Sequence, residues 1–338
     1  MLEKAKEAVA ISPDAGQIIP AYYNVVWGYV SLGRPADAEQ ALRQAMARAD
    51  QPDALTGAFH IAFLKDDAPG MQRQIALAKG KPDREDRLSN LQALTLARSG
   101  RFESARESVG HAIELASAAG TRERAAAYQT AMAVWEAWYG NATAAKRSAT
   151  HVLDVEKGRH ITYAGALALA LAGDTPRAQT IADDLDRRFP EDTSVRFNYL
   201  PTLRAMAALR SGDRSRAIEL LRPAATYEFA QPGISFYGVG GVAFGAMYPT
   251  YVRGLSYLAL RKATEAAVEF QKILEHPGVV LEDPMGALAR LQLARAWTMA
   301  GDVGKAKTAY EELLRLWEHA DPGIPVVSEA RAEYAMLR

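Results

Sequence analysis

A regular spacing of glycine and alanine runs through almost the whole chain and constrains its fold more than any other feature. Each of six glycines is followed five positions later by an alanine and preceded seven positions earlier by a small or slender residue. The glycines are Gly33, Gly100, Gly140, Gly173, Gly212 and Gly301. A seventh unit has Arg261 at the glycine position, with Gly254 before it and Ala266 after it. Helices cross closely only where side chains are small, so the spacing predicts repeated pairs of antiparallel helices.

The residues around each glycine predict how one helix ends and the next begins. A glycine in the left-handed conformation ends the first helix of a pair. The following residue is often able to cap the second helix through its side chain, as at Asn141, Asp174, Asp213 and Asp302. The 67 residues between Gly33 and Gly100 leave room for two units. We therefore expect a degenerate unit at 58–80 and a period near 34 residues.

The units resemble tetratricopeptide repeats. The best matches are YYNVVWGYVSLGRPADAEQALRQA at 22–45 and LQLARAWTMAGDVGKAKTAYEELL at 291–314. Aromatic residues stand at the positions where this family has them: Tyr29, Tyr257 and Trp297 in first helices, Phe270 and Tyr310 in second helices. Two middle units depart from the pattern, since Glu136 replaces the tyrosine and Pro201 interrupts a first helix.

The resemblance implies an all-α fold, an α-solenoid in which antiparallel helix pairs form a superhelix. We expect about eight repeats over 1–338 as a single domain. Residues 2–12 predict the second helix of a unit whose first helix is missing, which favours a fragment of a longer protein. Residues 326–338 predict a helix that caps the final repeat, as stacked repeats require at their ends.

A glycine- and aromatic-rich stretch interrupts the array at 232–246, where about fifteen residues exceed one unit. Within it, Gly238 to Ala243 fits the pattern G-x-G-x-x-A, which can mark a dinucleotide-binding turn. That turn needs a parallel strand before it and a sheet around it, and the rest of the sequence predicts neither. Two other interpretations stay open: a loop packed by its own aromatics, or a loop that folds into the concave face and contacts a ligand.

Composition excludes several classes of protein. Forty basic residues balance forty acidic ones, which gives no general attraction to nucleic acid. The absence of cysteine excludes thiol catalysis, disulfides and thiolate metal sites. Residues 229–252 carry no charge, but their five glycines and two prolines argue against a membrane span.

We find no catalytic constellation in the sequence. The six histidines show no H-x-x-x-H spacing, and neither G-x-S-x-G nor S-x-x-K occurs. The sequence thus predicts no enzyme activity, no cofactor and no metal.

Binding is the better prospect, because in the resembled family the first helix of each unit lines a concave surface. Aromatic and polar residues at the exposed positions of such helices suit peptide recognition. The predicted partner-binding residues are Tyr23, Asn24, Trp27, Arg87, Asn90, Thr130, Tyr163, Tyr199, Thr202, Tyr237, Tyr248, Tyr251, Gln292 and Arg295.

The leading hypothesis is a non-catalytic scaffold that binds a protein or peptide on its concave face. The repeats also resemble those C-terminal to bacterial serine/threonine kinases and winged-helix regulators, which implies a sensory or recruitment region. The alternative is a small-molecule or nucleotide-binding sensor or enzyme that uses 232–246. Partner identity, oligomeric state and compartment, cytoplasm or periplasm, stay open.

Overall fold

The computed structural model describes residues 2–11, 19–48, 53–81, 83–230 and 245–337. Within these ranges the chain is helical and contains no β-strand. In chain order the helices are α1 (Leu2–Ile11), the pairs α2 (Ile19–Ser31) and α3 (Pro35–Met46), α4 (Asp53–Leu64) and α5 (Ala68–Ala78), α6 (Glu85–Arg98) and α7 (Phe102–Ala118), α8 (Arg122–Trp138) and α9 (Ala142–Val155), α10 (Arg159–Leu171) and α11 (Thr175–Arg188), α12 (Leu200–Arg210) and α13 (Arg214–Leu220), α14 (Tyr248–Ala259) and α15 (Ala263–Leu274), the one-turn helix α16 (Pro277–Val280), the pair α17 (Met285–Ala300) and α18 (Val303–Leu316), and finally α19 (Pro325–Met336).

The described helices form eight packed pairs with one single helix at each end. Helix α1 packs on α2 before the first pair, and α19 packs on α18 after the last. This arrangement confirms the predicted all-α solenoid of helix pairs. That it forms one domain over 1–338 stays a prediction.

The turn inside each pair follows the spacing seen in the sequence. The six aligned glycines all take the left-handed conformation, with φ between 65° and 92°. Arg261 takes it at φ 59° and Asp66 at φ 55°, the latter at the glycine position of the degenerate second unit. A side chain in this region costs about 1–2 kcal/mol, which explains why glycine fills most of these positions.

Capping of the second helices follows the prediction at three of four turns. The side chains of Asp174, Asp213 and Asp302 accept hydrogen bonds from the backbone N–H three residues later, at 3.4, 3.1 and 3.0 Å. Asn141 does not cap its helix, and its side-chain amide donates to Glu136 at 2.7 Å instead.

Helices within a pair cross where the small residues predicted it. The seven alanines that follow the turns are at most 3% exposed. At Gly254 a β-carbon would lie 2.6 Å from the ring of Phe270, so this crossing has no room for a side chain. The regularly spaced small residues in the sequence thus lie where the two helices of a pair approach most closely.

The two units that depart from the repeat pattern keep their first helices. Glu136 is 2% exposed inside α8, where Arg106 pairs with its carboxylate at 2.6 Å. Before α12, residues Val195–Tyr199 form a widened helical turn. Pro201 has no N–H to donate to the preceding turn, and such a widening accommodates the missing bond.

The helices form two layers that differ in burial. Nearly every residue of α10 is buried, and most residues of α4, α6, α8, α14 and α17 are too. The second helices, such as α9 and α18, bury one face and expose the other to solvent. First helices therefore form an inner layer and second helices an outer layer.

The last helices fold back onto the turns of earlier pairs, so the solenoid closes upon itself. The indole Nε1 of Trp317 donates to the carbonyl oxygen of Arg98 at 3.0 Å. The backbone N–H of Asp321 donates to the carbonyl oxygen of Gly100, also at 3.0 Å. Helix α16 contacts α2, and α17 contacts α6. The surface of the first helices is consequently covered.

Among the described residues, every helix is too short or too polar to span a lipid bilayer.

Candidate functional site

The residues predicted to line an exposed concave groove lie in the inner layer, and most of them are buried. Asn24 is exposed and Arg295 is half-buried, whereas Tyr237 lies outside the described residues. The others are at most 9% exposed: Tyr23, Trp27, Arg87, Asn90, Thr130, Tyr163, Tyr199, Thr202, Tyr248, Tyr251 and Gln292. Their predicted exposure is wrong, because neighbouring and later parts of the chain cover this face. Their role in partner binding stays a prediction.

Charged side chains tie three successive first helices together. Arg87 on α6 pairs with Asp53 on α4 at 2.8 Å. Arg124 on α8 pairs with Asp86 on α6 at 2.7 Å, and the Tyr128 hydroxyl donates to the same carboxylate at 3.1 Å. Burial raises the pKa of Asp53. These pairs fix how α4, α6 and α8 stack, so the inner face has a defined shape.

A second polar group joins α10 to the widened turn before α12. The rings of Tyr163 and Tyr199 stack with centroids 3.8 Å apart. The Nδ1 of His160 lies 2.6 Å from the Tyr199 hydroxyl, and burial lowers the pKa of this histidine to about 4. His160 is therefore neutral at physiological pH and can hold the hydroxyl as a hydrogen-bond partner.

Several buried polar atoms of the inner layer have no hydrogen-bond partner among the described residues. Both amide atoms of Asn90 belong to this set, at 1% exposure. The hydroxyls of Thr56, Thr162 and Thr250 and the Oδ1 of Asn198 belong to it as well. Leaving a buried polar group unpaired costs about 1–3 kcal/mol, so each of these atoms marks a candidate position for a partner's polar group.

Residues 276–286 are called the inner segment below: they cross the inner layer between α15 and α17 and include the first two residues of α17. It contains α16 and packs against α2, α15 and α17. Two of its acidic side chains are almost fully buried, Glu282 at 1% and Asp283 at 4% exposure. Buried carboxylates need partners, and the chain supplies them from distant helices.

Glu282 meets His60 on α4. The imidazole Nδ1 lies 2.9 and 3.0 Å from the two carboxylate oxygens. The ring of Trp27 on α2 stands edge-on to this imidazole, with centroids 5.5 Å apart. Trp27, one of the predicted groove residues, thus lies beside a buried histidine–carboxylate contact.

Asp283 meets two donors at its carboxylate. The Tyr248 hydroxyl on α14 donates to Oδ2 at 2.9 Å, and the backbone N–H of Met285 donates to Oδ1 at 2.8 Å. The Nη1 of Arg98 lies 3.4 Å from the Asp283 carbonyl oxygen. Burial nevertheless raises the pKa of Asp283 to about 6.

Sequence reasoning missed His60, Arg98, Glu282 and Asp283. One signal was available, since the inner segment is a longer connection between pairs than the repeat period requires and carries two adjacent acids. Their distant partners could not be read from it, because pairing depends on how far the superhelix turns.

The outer layer carries shallow clefts between successive second helices. One of about 420 Å³ lies between α7 and α9 over α8, lined by Arg106, Glu136, Arg147 and His151 among others. Arg106 and Glu136 already neutralise each other there. Its lining shows no feature that selects a ligand.

The predicted glycine-rich insertion at 232–246 lies outside the described residues except at its end. There, the side-chain amide of Asn198 donates to the Gly245 carbonyl oxygen at 2.9 Å. This bond anchors the end of the stretch to the inner layer.

No protein-family profile matches the chain, and no curated protein matches it. Solved structures similar to it include the yeast Tom70 crystal structure, with 14% identity, coverage of 99% of this chain and 91% of that one, and a TM-score of 0.35. The crystal structure of the P58(IPK) TPR domain shares 13% identity, with coverage of 94% of this chain and 98% of that one, and a TM-score of 0.28. The structure of Naa15/Naa10 bound to HypK-THB shares 15% identity, with coverage of 99% of this chain and 58% of that one, and a TM-score of 0.27. Similarity at this level has no bearing on function.

Proposed function

We propose that this chain is a non-catalytic interaction module that binds a protein or peptide on its inner face, the surface formed by the first helices. The observation that carries the proposal is the pair of unpaired amide atoms of Asn90. A peptide unit offers one N–H donor and one C=O acceptor, and a side-chain amide offers the matching pair. Because this face is covered, an extended backbone that displaced part of the covering chain would satisfy atoms that the described chain leaves without partners.

Aromatic residues elsewhere in the inner layer support the same function. Tyr163 and Tyr199 form a stacked pair, and Tyr251 stands edge-on to Trp138 with centroids 4.8 Å apart. Large rings give contact area at small entropic cost, which suits peptide recognition. The finer form of the proposal is recruitment within a longer signalling protein, supported by the resemblance to repeat regions of bacterial kinases and regulators.

The second candidate is a small-molecule or nucleotide sensor that uses 232–246. The bond between Asn198 and Gly245 favours it, because it brings the end of that stretch to the inner layer. A thermal-shift screen with nucleotides and metabolites separates the two functions. Reproducible stabilisation by a nucleotide, lost when Gly240 and Gly241 are replaced, supports the sensor and contradicts the interaction module.

The test of the leading proposal is a selection from a random-peptide phage library on the wild type and on Asn90→Leu. We expect Asn90→Leu to lose selected peptides and yet to be more stable by about 1–3 kcal/mol, since it removes a buried unpaired amide. Gln44→Leu, at an exposed position of α3, is the matched control and should keep binding. Binding that survives Asn90→Leu would place the site elsewhere.

A further inference from the structure

The inner segment already occupies part of the inner face, and its first half is aliphatic. Val279, Val280 and Leu281 are 3–5% exposed. A β-carbon at Gly278 would overlap the carbonyl oxygen of Val30 on α2. This part of the inner face therefore accepts a peptide backbone at close range with apolar side chains around it.

The second half of the segment is acidic, and the inner face meets both acids. Glu282 is paired with His60 on α4, and Asp283 accepts the hydroxyl of Tyr248 on α14. Arg98, at the end of α6, approaches the Asp283 backbone. Two adjacent buried carboxylates are tolerated only where the surrounding structure supplies a hydrogen-bond donor to each of them. The face thus complements an aliphatic stretch followed directly by two acids.

The backbone of the segment is strained between the two halves. Leu281 has φ 52° and ψ −135°. A positive φ is costly for a residue with a β-carbon, and such strain, about 1–3 kcal/mol, persists only where the surroundings impose it. Here the segment is fixed at both ends, to α15 and to α17. A separate peptide has no such ties and need not adopt this conformation.

The segment also leaves hydrogen-bonding capacity unused on the helices it contacts. Thr56 on α4, Asn90 on α6 and Thr250 on α14 have polar atoms without partners among the described residues. The segment is held by hydrogen-bond partners at both carboxylates, yet it is strained and satisfies the face only in part. Those are the properties of an occupant that a better-fitting peptide can displace.

We propose that the inner segment stands in for a partner, and that the partner is an unstructured peptide in which two or three aliphatic residues are followed directly by two acidic ones. This inference rests on the proposed function and names the class of peptide. The partner competes with the chain's own residues for His60 and Tyr248, and binding releases the inner segment.

The probe is a synthetic peptide of residues 276–286, HPGVVLEDPMG, blocked at both ends and labelled with fluorescein. Anisotropy is measured against the wild type and against Glu282→Gln/Asp283→Asn, in which the internal competitor is weakened. We expect at least about tenfold tighter binding to the double variant. The control peptide HPGVVLQNPMG should not bind, and His60→Ala added to the double variant should abolish binding. Equal binding of both peptides overturns the proposal.

Hydrogen exchange of the wild type keeps the proposal testable if the double variant does not fold. Excess acidic peptide should speed amide exchange across 277–285, and the control peptide should not. Unchanged exchange with both peptides overturns the inference. So does dimerisation of the double variant without peptide binding, which would mean that copies exchange their segments.

The phage selection separates this inference from the proposed function. Selected peptides that need Asn90 but are not displaced by HPGVVLEDPMG contradict the inference and leave the proposed function intact. Failure to select any peptide counts against both.

Discussion

The Nδ1 of His60 lies 2.9 and 3.0 Å from the carboxylate oxygens of Glu282, although 222 positions separate the two residues in the sequence. Their side chains are only 6% and 2% exposed. The contact joins α4, in the second helix pair, to the connection that precedes the last helix pair. It is therefore a direct sign that the solenoid closes over its own inner face.

A double-mutant cycle measures this contact. His60→Ala, Glu282→Leu and their combination should show a coupling free energy of about 1–3 kcal/mol in chemical unfolding, because each single change leaves a buried polar group without its partner. Strictly additive effects would mean that the two side chains do not interact in solution.

Titration of Asp283 should make the folded chain less stable as the pH rises. Burial raises its pKa to about 6, above the value of about 3.9 in an unfolded chain, so the folded state retains a proton between these values. The contribution of Asp283 to the free energy of unfolding is greatest below pH 4. It falls by up to about 3 kcal/mol as the pH rises through 6.

Asp283→Asn removes that titration. In urea unfolding from pH 4 to pH 7, the stability of the variant relative to the wild type should increase with pH. A difference that does not change over this range would contradict the assignment.

Titration of His160 should make the folded chain less stable as the pH falls. Burial lowers its pKa to about 4, below the unfolded value of about 6.5. Its contribution is fully present above pH 6.5 and is lost as the pH falls towards 4, on the order of 2–3 kcal/mol. Thermal unfolding at pH 4.5 and 7.5 tests this with His160→Gln, which should lose less stability on acidification than the wild type. Equal losses would refute it.

Two glycine substitutions test the close approach of the inner segment to α2. Gly278→Ala should destabilise the chain by about 2 kcal/mol or more, because the new methyl group overlaps the Val30 carbonyl. Gly304→Ala is the control, at an exposed position of α18 with no neighbour closer than 3.7 Å. It should stabilise by about 0.5–1 kcal/mol through helix propensity. Thermal unfolding by circular dichroism measures both effects, and similar effects would contradict the close contact between Gly278 and Val30.

Much of the fold could be predicted from local sequence. The turn at Gly301 and the cap at Asp302 depend on residues within a few positions of each other, so the sequence carries the whole signal. The same holds for Ala306, whose small side chain permits the crossing. These local rules repeat, and their repetition identified eight helix pairs.

Closure of the solenoid could not be predicted in this way. Whether Trp317 reaches Arg98 depends on a small rotation at every repeat, summed over the array, which no single repeat records. The same sum decides that Tyr163 and Tyr251 are buried and not exposed. Residues of the candidate site therefore had the expected helices but the wrong exposure.

The most direct test of the central claim, that the chain closes over its inner face, is a distance between two spin labels. The sequence has no cysteine, so Arg101→Cys and Glu318→Cys, both at exposed positions, allow specific labelling. They stand one and three residues from the bonded pair Gly100 and Asp321. Pulsed electron paramagnetic resonance should give one narrow distribution below about 25 Å, given 3.8 Å between successive Cα atoms. A broad distribution at much longer distances would show an open solenoid and contradict the account.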